Sequence, residues 1–178
     1  MGCFSCEGDS QLFRWINHFV SLKLTCSICH FQVDFRIKRE YCIEGMKKGY
    51  KDNIEKLTLE NENFRHVLYT AAHCQLVLMS LRPGEEIGME VHDGNDQFFR
   101  FEKGIGKVII NETEYIVSDG DAVIVPQGAQ HNVVNTSQTE TLKLYTIYAP
   151  AHHKDGIIRN TKEEAEKDGP EFDGTTTE

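Results

Sequence analysis

A chain of 178 residues and 20.4 kDa has room for one core of ordinary size and a modest appendage, not for two full domains. Its 28 acidic side chains outnumber 19 basic ones, and a net charge of −9 with a pI near 5.4 argues against partners held through phosphate, so no nucleic acid and no membrane surface is expected. With 39% hydrophobic and 26% charged residues the balance is that of a globular chain, and no apolar run is long enough to cross a bilayer.

Residues 1–45 differ from the rest. They carry no net charge and five of the six cysteines, Cys3, Cys6, Cys26, Cys29 and Cys42, which leaves only Cys74 and the whole acidic excess to residues 46–178. A boundary is expected near Met46. The opening MGCFSCEGDS has no basic stretch before an apolar one, so it does not read as a secretory signal, and a reducing cytoplasm is expected. Cys6 stands where N-myristoylation requires Ser or Thr. Leu12, Trp15, Ile16, Phe19 and Val20 recur at helical spacing and predict a short amphipathic helix. Around it, Cys3/Cys6 and Cys26/Cys29 form two Cys-x2-Cys pairs with 19 residues between them, a spacing that suits a four-thiolate zinc site. Against zinc, no glycine follows the second pair to make a tight turn, and the stripe between the pairs is not that of a zinc ribbon. The competing expectation is an appended segment, disordered or loosely packed or not part of the natural protein, with the functional unit, residues 46–160, starting at Met46.

From Phe64 the texture becomes that of strands: residues 64–70, 74–82, 97–103, 107–110, 114–117, 122–125, 131–135 and 142–148 are rich in Val, Ile, Tyr and Phe, with Gly, Pro, Asn and Asp between them. Short strands at regular spacing, with no helical pattern among them, predict an all-β antiparallel sandwich or barrel. Asn111-Glu112 suits a two-residue hairpin turn, because Asn tolerates positive φ. Gly104 and Gly106 are expected to supply turn chemistry between strands. Thr161 with Glu164 has the spacing of a capping box and predicts a short C-terminal helix through Lys167. Within residues 161–178 the remainder after Gly169 is expected to fray.

Chemistry concentrates in residues 83–104 and 120–135. Glu90 and His92 are two apart and leave one face of an extended chain. Asp93-Gly94-Asn95 can then reverse the chain and return Gln97 to the same place, while His131 follows the turn at Pro126-Gln127-Gly128. Two imidazoles, a carboxylate and an amide oxygen suit a divalent ion such as Mn, Fe, Ni or Zn. By strand parity Phe99 and Phe101 share the face of Gln97, and Val133 and Asn135 that of His131, so these four are expected to line the pocket. Met79 and Met89 are candidates for its apolar wall. His66, His73, His152 and His153 have no comparable context and are expected to face water.

These stretches resemble the cupin superfamily. Gly120, Pro126, Gly128, His131 and Asn135 meet every position of its second motif, Gly-x5-Pro-x-Gly-x2-His-x3-Asn. In the first motif Gly84, His92 and Gly104 fall in register, with Glu90 where a His is usual and Gln97 where a Glu is usual. The resemblance covers about residues 57–150. It implies a double-stranded β-helix, the jelly-roll (RmlC-like) cupin barrel, with a metal near its mouth held by Glu90, His92, Gln97 and His131. Replacing one imidazole by an amide implies weaker binding than at a three-His site. The small mannose-6-phosphate isomerase-like cupins are the nearest group by appearance. The function so implied is that of a cytoplasmic metal-binding cupin whose ion polarises a small oxygenated, sugar-like substrate, with Glu90 as ligand or catalytic base, for isomerisation or dioxygenation. A non-catalytic binding module for a small-molecule ligand or metal is the alternative. The resemblance also implies a homodimer, with LKLYTIY as one candidate edge.

Overall fold

Alternation of apolar and polar residues sets the first two strands. In this computed structural model residues 18–25, 32–39, 47–167 and 172–178 are described, and the chain divides into two compact units, Met1–Lys48 and Gly49–Glu178. In the first, β1 (His18–Thr25) pairs antiparallel with β2 (Gln32–Arg39), and the register sets Val20 opposite Ile37, Leu22 opposite Phe35 and Leu24 opposite Val33. Val33, Phe35 and Ile37 alternate with Asp34, Arg36 and Lys38, a period of two that favours a strand. The helix expected through Val20 is corrected here, since Phe19 and Val20 are strand residues; a partner strand of matching alternation outweighs a short helical stripe. Leu12, Trp15, Ile16 and the zinc pairs Cys3/Cys6 and Cys26/Cys29 lie outside the described residues.

The second unit opens with α1 (Ile54–Glu60), whose N-terminus is capped by Asn53, its side chain accepting from the Lys56 N–H at 3.0 Å. Then come β3 (Arg65–Thr70), β4 (Gln75–Leu81), β5 (Asp96–Lys103), β6 (Ile105–Ile110), β7 (Thr113–Ser118), β8 (Ala122–Val125), β9 (His131–Asn135), β10 (Leu142–Ala149), β11 (Ile158–Arg159) and α2 (Lys162–Lys167). They form an antiparallel six-stranded sheet, β11-β3-β4-β10-β5-β8, and a three-stranded one, β7-β6-β9. The architecture is the all-β jelly-roll with a short C-terminal helix. Inward residues of both sheets, among them Val77, Met79, Phe99, Phe101, Val108, Val133, Leu142 and Leu144, make one buried core. Each large side chain so buried contributes about 1.5–3 kcal/mol. Among the described residues no helix is long and apolar enough to cross a membrane.

Three features differ from expectation. β10, the LKLYTIY run, lies between β4 and β5, so it is no free edge through which a second copy could pair. Its apolar character reflects a strand bonded on both sides within a sheet. Gly106 lies in β6, paired with both neighbours, and is glycine for want of space: a Cβ there would stand 2.7 Å from Leu142 Cδ2 and 2.8 Å from the Val134 carbonyl. The tail beyond Gly169 is tied down where it is described. Thr177 donates its N–H to the Thr70 carbonyl at 2.9 Å and accepts from the Thr70 N–H at 2.8 Å, and Glu178 Oε2 accepts from the Gly49 N–H at 3.0 Å. Asn111, with φ of 52°, makes the β6–β7 turn, and Thr161 accepts from the Glu164 N–H at 3.3 Å to start α2.

Candidate metal centre

Glu90 reaches the barrel without belonging to a strand. Its N–H donates to the His131 carbonyl at 2.8 Å and its carbonyl accepts from the His131 N–H at 2.9 Å, an isolated antiparallel bridge that lays the loop after β4 against β9. Side chains two apart on that extended stretch then turn the same way. The ligand atoms of Glu90, His92 and His131 all lie within 4.8 Å of one another. His131 is wholly buried and His92 is 9% exposed, their ring centroids 5.1 Å apart.

Hydrogen-bond partners fix the proton positions in this cluster. His131 Nδ1 lies 3.1 Å from the Ala129 carbonyl, which can only accept, so Nδ1 carries the hydrogen. Burial pushes the His131 pKa down, which favours the neutral ring and leaves Nε2 a lone pair. That lone pair faces Gln97 Oε1 at 3.0 Å, while Gln97 Nε2 donates to Thr146 Oγ1 at 3.0 Å. With the amide in this orientation both atoms are acceptors, an arrangement that a shared cation or the reverse amide orientation would satisfy. His92 Nε2 is buried, and its one close polar neighbour among the described residues is Glu90 Oε2 at 3.4 Å. Burial raises the Glu90 carboxyl, but the hydrogen-bonding and charge influence of His92, with Arg65 and His131 behind it, brings it net below its ordinary value and keeps it ionised. Lone pairs converging with an ionised carboxylate fit a divalent cation: roughly 3 Å is the separation of adjacent ligand atoms each about 2.1 Å from a common ion.

Beside the cluster lies a cavity of about 300 Å³. Phe64, Ile87, Val91 and Ala165 give it apolar walls, and Arg65, Glu90, His92, His152, His153 and Lys162 are its main polar lining. Phe99, Phe101, Val133 and Asn135 are buried in the barrel as parity implied, yet none of them lines this cavity. The phenylalanines and Val133 are core, and Asn135 Nδ2 ties together the carbonyls of Leu81, Arg82 and Glu140 at 2.8–2.9 Å. Met79 is also core, whereas Met89 is 51% exposed and touches neither.

His152 and His153, expected to face water, are pulled inward. Gln75, fully buried on β4, donates to the His153 carbonyl at 2.7 Å and accepts from the N–H groups of His152 and His153 at 3.2 and 2.9 Å. The His152 ring then lies 4.2 Å from that of His92 and stacks at 5.1 Å on Tyr148. Burial, with the charge of His92, lowers its pKa to about 4; burial with the charge of Arg65 lowers that of His153 to about 2. Arg65, Lys162 and these two histidines are the site residues that spacing along the chain did not single out. Inward parity along β10 marks Thr146 and Tyr148, but nothing local marks Arg65, a single basic residue opening a strand.

The Cupin domain family model matches residues 77–148, which contain all four candidate ligands. Uncharacterized protein L612 of Acanthamoeba polyphaga mimivirus is 41% identical over 119 residues, 65% of this chain and 74% of that one. Uncharacterized protein YrkC of Bacillus subtilis strain 168 is 44% identical over 124 residues, 66% of each chain. Among solved structures, BH2720 of Bacillus halodurans is 40% identical with a TM-score of 0.66, over 70% of this chain and 98% of that one. TT1209 of Thermus thermophilus is 25% identical with a TM-score of 0.51, over 56% and 96%.

Proposed function

The chain belongs to the cupin superfamily, and on that basis we propose that it is a small cytoplasmic metal-binding cupin of the mannose-6-phosphate isomerase-like group, holding one divalent ion of Mn, Fe, Ni or Zn type through Glu90, His92 and His131 with Gln97 as fourth donor. The observation that carries this reading is the convergence of the ligand atoms of Glu90, His92 and His131 within 4.8 Å of one another, with Gln97 Oε1 3.0 Å from His131 Nε2. When bound, such an ion polarises a carbonyl or hydroxyl oxygen of a small oxygenated substrate. The rest falls to the chain's own groups. The Ala129 carbonyl holds the His131 tautomer, Thr146 orients the Gln97 amide, and Phe64, Ile87 and Val91 give the cavity an apolar wall. Should Glu90 act as base and not as ligand, its ionised carboxylate beside the cavity would take a proton from one substrate carbon and return it to the neighbouring one, which favours isomerisation over dioxygenation. A homodimer completes the proposal, and light scattering that returns the mass of one chain rejects it.

Elemental analysis of the purified protein tests the centre. About one metal per chain is expected, with at least a tenfold loss of affinity in His92→Ala and in His131→Ala. Full metal content in both variants rejects the ligand set. Metal held by the wild-type protein with no turnover of sugar phosphates, diketones or phenols would make it a binding module.

A further inference from the structure

We propose that Arg65 anchors a carboxylate of the molecule that occupies the cavity, so that the ligand is a small organic acid reaching from the guanidinium to the metal centre. Arg65 opens β3, lines the cavity and is 8% exposed. Its Nε is buried with no hydrogen-bond partner, and among the described residues no carboxylate lies within ion-pair distance of it. The contact it does make, the guanidinium carbon 5.8 Å from the centre of the Phe64 ring, is a weak cation–π arrangement, small beside the cost of taking a guanidinium out of water. A guanidinium in a cavity wall, with its Nε unbonded and no described carboxylate within ion-pair distance, is free to receive an anion from outside. Its nearness to the site shows in the cavity wall, which it shares with Glu90, His92, His152 and His153.

The planar guanidinium fork fits a carboxylate by two parallel hydrogen bonds. A phosphate dianion suits the cavity less well, because Glu90 and Glu166 share its wall and Lys162, the other cation there, lies 3.7 Å from Glu166. A single negative charge meets Arg65 with less repulsion from those carboxylates. The apolar Phe64 and Ile87 leave the middle of the cavity to a short carbon skeleton.

The metal-centre proposal supplies the other end of the ligand, and the test separates the two. Glycolate, ethylene glycol and methyl phosphate are titrated by calorimetry into the full chain with its metal and after chelation, in wild type, Arg65→Gln and Arg65→Lys, with metal content measured on each sample. Glycolate is expected to bind wild type at least tenfold more tightly than ethylene glycol or methyl phosphate. Arg65→Gln is expected to remove that advantage without altering metal content, and Arg65→Lys to restore part of it. Since no described carboxylate pairs directly with Arg65, ligand-free Arg65→Gln should melt no lower than wild type. Glycolate binding that is absent or indifferent to Arg65, tighter binding of methyl phosphate, or a melting point about 5 °C lower in Arg65→Gln would each overturn the proposal. Arg65-dependent glycolate binding in a protein that holds no metal would keep the anchor and refute the centre.

Discussion

At Gln97 an amide stands where a carboxylate would make the ligand set more anionic. Gln97→Glu adds a negative charge beside the cation while Thr146 Oγ1 remains to donate to it, so metal affinity is expected to rise at least tenfold, measured by competition with a chelator. Unchanged affinity would remove Gln97 from the ligand set and leave it as the partner that orients His131. His92, His131 and Gln97 are legible in the sequence because short turns and two-residue spacing determine where they point. Arg65, His152 and His153 are not, because their approach depends on β3 lying beside β4 and on one buried amide, Gln75, gathering a loop 77 residues away.

Among the elements, runs rich in Val, Ile, Tyr and Phe punctuated by Gly, Pro, Asn and Asp make β3 to β10 readable, since such side chains suit a pleated, half-buried surface. Strand order is another matter. Nothing within LKLYTIY says that it sits between β4 and β5, because pairing partners lie far along the chain. The short α1 escaped notice because seven residues give a helical pattern too little length to declare itself. β6 shows the opposite case, where a residue read as a turn former meets a packing demand. Gly106→Ala sets a methyl group against Leu142 and the Val134 carbonyl, and backbone cannot move aside cheaply. A destabilisation of about 1–3 kcal/mol is expected, read as a lower urea midpoint. A variant as stable as wild type would show that β9 and β10 yield more readily than their spacing implies.

For the molecule as a whole, one buried and one half-buried neutral histidine tie stability to pH. In the folded state His153 titrates near 2 and His152 near 4, whereas unfolded chains take up these protons near 6.5. The folded pKa is the lower one, so stability is complete above about pH 6.5 and is lost as pH falls below it. His153 alone should cost about 1.4 kcal/mol per pH unit below that range, and half-buried His152 less. Urea melts of chelated protein between about pH 7.5 and 5 test this. His153→Phe should flatten the profile, and an unaltered slope would assign the effect to other groups. The backbone bridge between Glu90 and His131, by contrast, rests on two hydrogen bonds that need no ion. The claws of the clasp are sewn to each other before anything is grasped, so removing the cation should leave the barrel standing, unlike a zinc finger, which collapses when stripped. A protein built so could be emptied and refilled without unfolding, and the ion held by the proposed centre would depend on which ones its surroundings supply.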